Sequence, residues 1–125
     1  MTALRIRARD LMSEQELVEV RTRVTWKSVA LIVHAWTLIF GSIAMVAAWP
    51  NPFTFVLAVA VIGSRQLGLA ILMHDGAHGC LANGEKLNMT LSQWFCAYPI
   101  FAETGAYRRY HLQHHARTQQ PDDPD

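Results

Sequence analysis

Two apolar runs separated by three residues constrain this chain more than any other feature. Ser28 to Trp49 (SVALIVHAWTLIFGSIAMVAAW) is 22 residues without a formal charge. At ~1.5 Å rise per residue, a helix of that length covers about 33 Å, enough to cross a hydrocarbon core of about 30 Å. Pro50-Asn51-Pro52 follows; it cannot continue a helix and predicts a tight connection. The second run, Phe53 to Met73, has a similar length and is interrupted by Arg65 and Gln66. The core hairpin of a soluble protein would also be apolar, but 22 uncharged residues in a row argue against it. A cleaved signal peptide would be shorter, start earlier and not be followed at once by a second run. The expected fold is an all-α membrane protein. It comprises an N-terminal segment 1–27, a two-span transmembrane helical hairpin within 28–74 (28–49 and 53–73), and a cytosolic-face, interfacial helical segment 75–125.

The basic residues give the hairpin a direction. Arg5, Arg7, Arg9, Arg21, Arg23 and Lys27 precede the first run, the connection has none, and Lys86, Arg108, Arg109 and Arg117 follow the second. The positive-inside rule then predicts both termini in the cytoplasm. A formal net charge of +1, with no arginine-rich face interleaved with aromatics, argues against a nucleic-acid partner. Two cysteines, Cys80 and Cys96, are too few for a disulfide framework and are expected as free thiols.

Shorter signals fill in the flanks. Ser13-Glu14-Gln15-Glu16 reads as a capping box with Met12 and Leu17 as a staple; Leu17, Val20 and Val24 are expected on one face of a short amphipathic helix lying on the membrane, with a solvated connector as the equal alternative. Asn83-Gly84 marks a turn. Leu87 to Ala102 is apolar, short and contains Pro99, so it reads as interfacial or re-entrant. The polar, proline-rich stretch 119–125 should not be helical.

Five of the six histidines fall in two groups, His74-Asp75-Gly76-Ala77-His78 and His111-Leu112-Gln113-His114-His115. The first pair is spaced i, i+4; in the second group His111 precedes His114 and His115 by three and four. Those offsets bring helical side chains to one face, with Cβ atoms roughly 5–6 Å apart. Imidazole is a metal ligand, and both groups follow apolar runs on the side assigned to the cytosol. Three histidines within five residues are hard to explain as packing, because histidine is neither a strong helix former nor a typical core residue. Imidazole suits Zn, Cu, Fe and Ni alike, so spacing alone does not select the metal.

These boxes, with Arg65-Gln66 upstream, Tyr107-Arg108-Arg109-Tyr110 before the second box and Asp123-Pro124-Asp125 after it, resemble the membrane fatty-acid desaturase family from about residue 28 onward. The resemblance implies that His74, His78, His111, His114 and His115 ligate non-haem iron, two ions in all. It also implies O₂ as co-substrate, a cytochrome-type or ferredoxin-type electron donor, and a lipid acyl chain from which hydrogens are removed. Related membrane hydroxylases and carotenoid-modifying enzymes share the pattern. The family carries a second pair of spans and a third histidine box that are not in these 125 residues. The chain is therefore expected to be an N-terminal part of such an enzyme, inactive by itself.

Two readings from other classes compete. An intramembrane zinc protease could use His74 and His78, but Asp75 stands where a catalytic glutamate would, and the second box is left unexplained. A haem-binding helical pair could use His34 with a later histidine, at the cost of four others. Asp75 is either a hydrogen-bond acceptor for a ligand histidine or a solvated acid. Cys80 is expected as a packing residue, Arg65 as a snorkelling cation, Gln66 as an interhelical hydrogen-bonder, and His34 as a structural residue. Arg108 and Arg109 are expected as interfacial anchors, with attraction of an acidic group as the alternative.

Overall fold

The structure, a computed structural model, describes residues 10–124. Arg5, Arg7 and Arg9 of the basic stretch, and Asp125, lie outside the described residues. Five α-helices follow in order: α1 (Glu14–Arg21), α2 (Thr25–Ala48), α3 (Pro52–Ala77), α4 (Glu85–Ser92) and α5 (Thr104–Arg117). A π turn (Gln93–Ala97) and a 3-10 turn (Tyr98–Ile100) join α4 to α5, and no strand occurs among the described residues.

Helix α1 starts at the expected capping box: Ser13 Oγ accepts the Glu16 N–H at 3.3 Å, and Glu16 Oε2 accepts the Ser13 N–H at 2.8 Å. The face proposed for Leu17, Val20 and Val24 does not form. The helix ends at Arg21, which leaves Val24 beyond it, and Val20 is exposed while Leu17 alone is buried.

Helices α2 and α3 are both long and apolar enough to cross a membrane, with mean hydropathies of 2.1 and 2.0 in their best windows. Only 17% of each window is buried within the protein, so most of this apolar surface faces outward. In water such a surface would be an aggregation liability, whereas hydrocarbon accommodates it. The connection is built as Pro50-Asn51-Pro52 suggests. Asn51 caps α3 by accepting the Thr54 N–H at 3.1 Å, Thr54 Oγ1 returns to the Asn51 N–H at 3.3 Å, and Pro52 supplies the first helical turn. Ile32, Ala35 and Ile39 on α2 face Leu69, Leu72 and Met73 on α3, with Leu81, Cys96 and Ala97 closing the cluster. Between lipid-embedded helices there is no solvent-driven gain from burying an isoleucine, so close packing around small residues such as Ala35 and Ala58 must hold the pair.

The ends of both helices differ from the apolar runs. Helix α2 begins at Thr25, three residues before the uncharged stretch, and α3 continues past Met73 to Ala77. The first histidine box is thus the last turn of α3, not a segment after it. Its terminus is a Schellman motif: the Cys80 N–H reaches the Asp75 carbonyl at 2.8 Å and the Gly79 N–H reaches Gly76 at 3.0 Å. Gly79 sits at φ +76°, a left-handed conformation that glycine adopts without a Cβ penalty. Leu87 to Ala102 becomes helix, π turn and 3-10 turn lying against α3, and the chain reverses at Phe101, which is left-handed and fully exposed. The tail from Thr118 is non-helical, as its composition suggests.

Helix α4 can lie on α3 only because residue 76 has no side chain. A Cβ there would stand 2.2 Å from Ser92 Oγ and 2.4 Å from Ser92 Cβ. Ser92 cannot yield cheaply, being fully buried and 2.9 Å from Thr104 Oγ1. Gly76→Ala gains about 1 kcal/mol of helix propensity but introduces an overpacking cost of about 1–3 kcal/mol. We expect G76A to lower the thermal unfolding midpoint in micelles and the added change Ser92→Gly to recover most of the loss. An unchanged midpoint in G76A would show that α4 does not need this approach.

Candidate metal centre

The polar groups at the end of α3 are fully accounted for, and that sets where its histidines point. Beyond the Schellman bonds, the Gly76 carbonyl accepts Asn88 Nδ2 at 2.7 Å, while Asn88 Oδ1 accepts the Leu81 N–H at 3.0 Å. Arg108 Nη1 donates to the Ala77 carbonyl, so α5 is tied directly to the C-terminus of α3. A guanidinium there also meets the negative end of the helix dipole. This corrects the expectation for Arg108, which is an interhelix clamp and not a free interfacial anchor; Arg109 remains exposed.

Helix α5 is fixed at its start as well. Glu103 caps it by accepting the Gly105 N–H at 2.8 Å and the Ala106 N–H. The Thr104 N–H donates to Gln93 Oε1 at 3.0 Å, beside the buried Ser92–Thr104 pair. Thr104, Arg108, His111 and His115 recur at helical spacing on the face turned to α3. With the first two anchored, the last two meet the first histidine box.

Four of the five histidines of the two boxes come together. One ring nitrogen from each of His74, His78, His111 and His115 lies within 4.8 Å of the other three. His111 Nε2 is 3.0 Å from His78 Nε2 and 2.9 Å from His115 Nε2. Two imidazole nitrogens bound side by side on one ion, with bonds of ~2.1 Å at a right angle, stand about 3.0 Å apart. The donor set therefore fits a transition-metal ion, and its all-nitrogen chemistry suits Fe, Zn, Cu or Ni. The fifth, His114, stands off the group, with ring centroids 6.3 Å from His111 and 5.8 Å from His115, and its Nδ1 is 2.8 Å from Asp123 Oδ1. His34 is exposed on α2 and is not in the group.

Neighbouring oxygens engage the outer nitrogens. Asp75 Oδ1 is 3.4 Å from His74 Nδ1, and Tyr107 stacks on His111 with its hydroxyl 3.4 Å from Nδ1. Such contacts direct Nε2 inward and set ring orientation. The spacing of Tyr107 four residues before His111 was a readable signal that sequence reasoning passed over. Asn88 carried none, because a lone asparagine in a polar helix is unremarkable until its neighbours are known. An opening of about 430 Å³ borders the group, lined by Ala70, Ile71, His74 and Tyr107. A larger groove, about 1000 Å³, runs along α2 past Trp36, Phe40, Trp94 and Phe95 and contains no histidine. The smaller opening is the one adjacent to the histidine group.

Electrostatics favour the neutral form of His78 and His111. Burial holds His78 below the ordinary histidine pKa, His74 and His115 add to the shift, and Arg108 adds a smaller contribution against the opposing pull of Asp75. Burial also lowers His111, followed by His115, His74, His78 and His114. The unfolded chain therefore takes up protons at these sites before the folded one. Stability from the neutral pair is complete above about 6.5 and declines as pH falls below it. Ring-proton NMR of the metal-free chain should give midpoints below 6.5 for both residues, with a lower unfolding temperature at pH 5.5 than at 7.5. Midpoints at or above 6.5 would contradict the packing described.

The fatty acid desaturase family model matches residues 47–125, which include both boxes and all of α3. Dihydrorhizobitoxine desaturase from Bradyrhizobium elkanii is 42% identical over 73 residues, covering 57% of this chain and 21% of that protein. The chain thus spans well under two thirds of that relative's length. No solved structure matches. With two membrane-length helices, a four-histidine group at the end of the second, and a match over more than half its length, the chain belongs to the fatty acid desaturase family.

Proposed function

We propose that this chain is part of a membrane di-iron desaturase that dehydrogenates a lipid acyl chain. The observation that carries the reading is the convergence of His74, His78, His111 and His115 from two separate helices at one end of a lipid-compatible hairpin. These four residues would hold iron, with His114 as a fifth donor. Iron, when bound, supplies O₂ activation and the electrons' point of entry from a cytochrome-type or ferredoxin-type donor. The protein's own part is to orient imidazoles through Asp75 and Tyr107, and to offer an apolar approach along Ala70 and Ile71 beside His74.

The basic residues Arg21, Arg23 and Lys27 before α2, and Lys86, Arg108, Arg109 and Arg117 after α3, support a cytoplasmic location for the histidine end. The domain division at residues 27 and 74 is part of this proposal. A second reading is a substrate like that in the relative's name, dihydrorhizobitoxine, in place of an acyl lipid, and the 42% identity favours considering it. A related hydroxylase would use the same boxes.

The matched region is about a fifth of the relative, and the family resemblance implies a further histidine box outside it. Purified in nanodiscs, the 125-residue chain should bind Fe(II) weakly through the four-histidine group. H78A or H111A should reduce that binding at least about 10-fold, since each removes a direct ligand. With a reductant and O₂ it should give no dehydrogenated product from acyl lipids. A Soret band would indicate haem instead, and iron uptake indifferent to H111A would sink the metal reading. Tight loading with two irons would contradict an incomplete site.

A further inference from the structure

We propose that Asp123 is a positioning residue that presents His114 through Nε2. A carboxylate only accepts, so at 2.8 Å from Asp123 Oδ1 the His114 Nδ1 must carry the proton. In the neutral ring the lone pair then resides on Nε2, the arrangement in which a carboxylate-backed histidine serves as a ligand. The role as a metal donor rests on the reading above, whereas the tautomer does not.

The carboxylate is held by a strap of chain that folds back along α5. Gln119 is left-handed at φ +63° and turns the chain at the end of the helix. Its N–H donates to Asp123 Oδ2 at 3.0 Å, so one carboxylate bridges the turn and the imidazole. The Gln120 N–H reaches the Arg117 carbonyl at 2.9 Å, the Asp123 N–H reaches Gln120 at 3.0 Å, and Arg117 pairs with Asp122. Further along, Tyr110 Oη donates to the Pro124 carbonyl at 3.1 Å. The side chain of Asp123 is 11% exposed, against 54% for Asp122, so the two adjacent acids have separate environments. Water screens the Arg117–Asp122 pair far more than the His114–Asp123 contact. The His114 ring lies 6.3 Å from that of His111 and 5.8 Å from that of His115, beyond the convergence of the other four, so the carboxylate contacts a histidine outside that convergence.

Nitrogen-15 NMR of histidine rings in the metal-free 125-residue chain, in micelles at neutral pH, reads the tautomer directly. The expected result is protonated Nδ1 and bare Nε2 at His114, shifting toward protonated Nε2 in Asp123→Ala. Asp122→Ala removes the neighbouring acid and should leave the tautomer unchanged. Protonated Nε2 in the native chain, no shift in D123A, or an equal shift in D122A would each overturn the proposal. Co(II) titration of the same samples then separates the metal role. D123A should weaken binding that includes His114 by about 10–100-fold, while H111A should remove binding at the four-histidine group. If the tautomer shifts but cobalt binding is identical in D123A, Asp123 positions His114 for no metal, and the donor role is overturned. If H111A also binds cobalt as the native chain does, the metal reading itself has failed, whatever the tautomer shows.

Discussion

The last turn of α3 is where the histidine end of the molecule is decided. A helix terminus leaves carbonyls without intrahelical partners, and burying them unpaired is costly. Here the Asp75, Gly76 and Ala77 carbonyls are taken by the Cys80 and Gly79 amides, the Asn88 side chain and Arg108. The partners come from three stretches, so satisfying one helix end also seats the turn, α4 and α5. The absent side chain at Gly76 lets α4 close enough for Asn88 to reach. Once Arg108 is docked, His111 and His115 follow one and two turns later on the same face.

The two halves of the structure are stabilised by different physics. The hairpin faces hydrocarbon, so its cohesion depends on close packing of Ile32, Ala35 and Ile39 against Leu69, Leu72 and Met73. The second half, from the α3–α4 turn onward, is held by polar ties between distant residues, among them Trp36 Nε1 to the Phe95 carbonyl at 3.0 Å and the Asn83 N–H to Thr25 Oγ1 at 3.0 Å. Polar ties of this kind are directional, and so fix rotation as well as distance. That suits a group of imidazoles whose nitrogens must converge.

Much of this was legible in the sequence. Long uncharged runs force helices of membrane length, the Pro-Asn-Pro connection forces a hairpin, and i, i+3, i+4 spacing puts histidines on a face. The capping box at Ser13 was readable because its chemistry is local. What stayed hidden depends on contacts between distant segments. Arg108 looked like an interfacial anchor because nothing local says that the Ala77 carbonyl lies beside it. The continuation of α3 to Ala77 had a signal, Gly79 as a C-terminal cap, but hydropathy stopped at the first polar residue. The shared face of Leu17, Val20 and Val24 failed because three non-helical residues separate α1 from α2, and periodicity carries no information past a helix end.

The convergence at His111 has a consequence for how the chain folds. Its Nε2 faces two other Nε2 atoms, and a single nitrogen is either one donor or one acceptor at a time. In the bare protein the three rings compete for the same proton position, and no assignment of tautomers satisfies all of them fully. The group is a locally frustrated spot in an otherwise consistent structure. Nothing in the histidines themselves draws α5 toward α3; the Gly76–Ser92 approach, Asn88 and Arg108 hold them together against that conflict. The scaffold thus completes its folding with an unresolved proton-sharing problem at its histidine end, one that a cation bound between the rings would relieve.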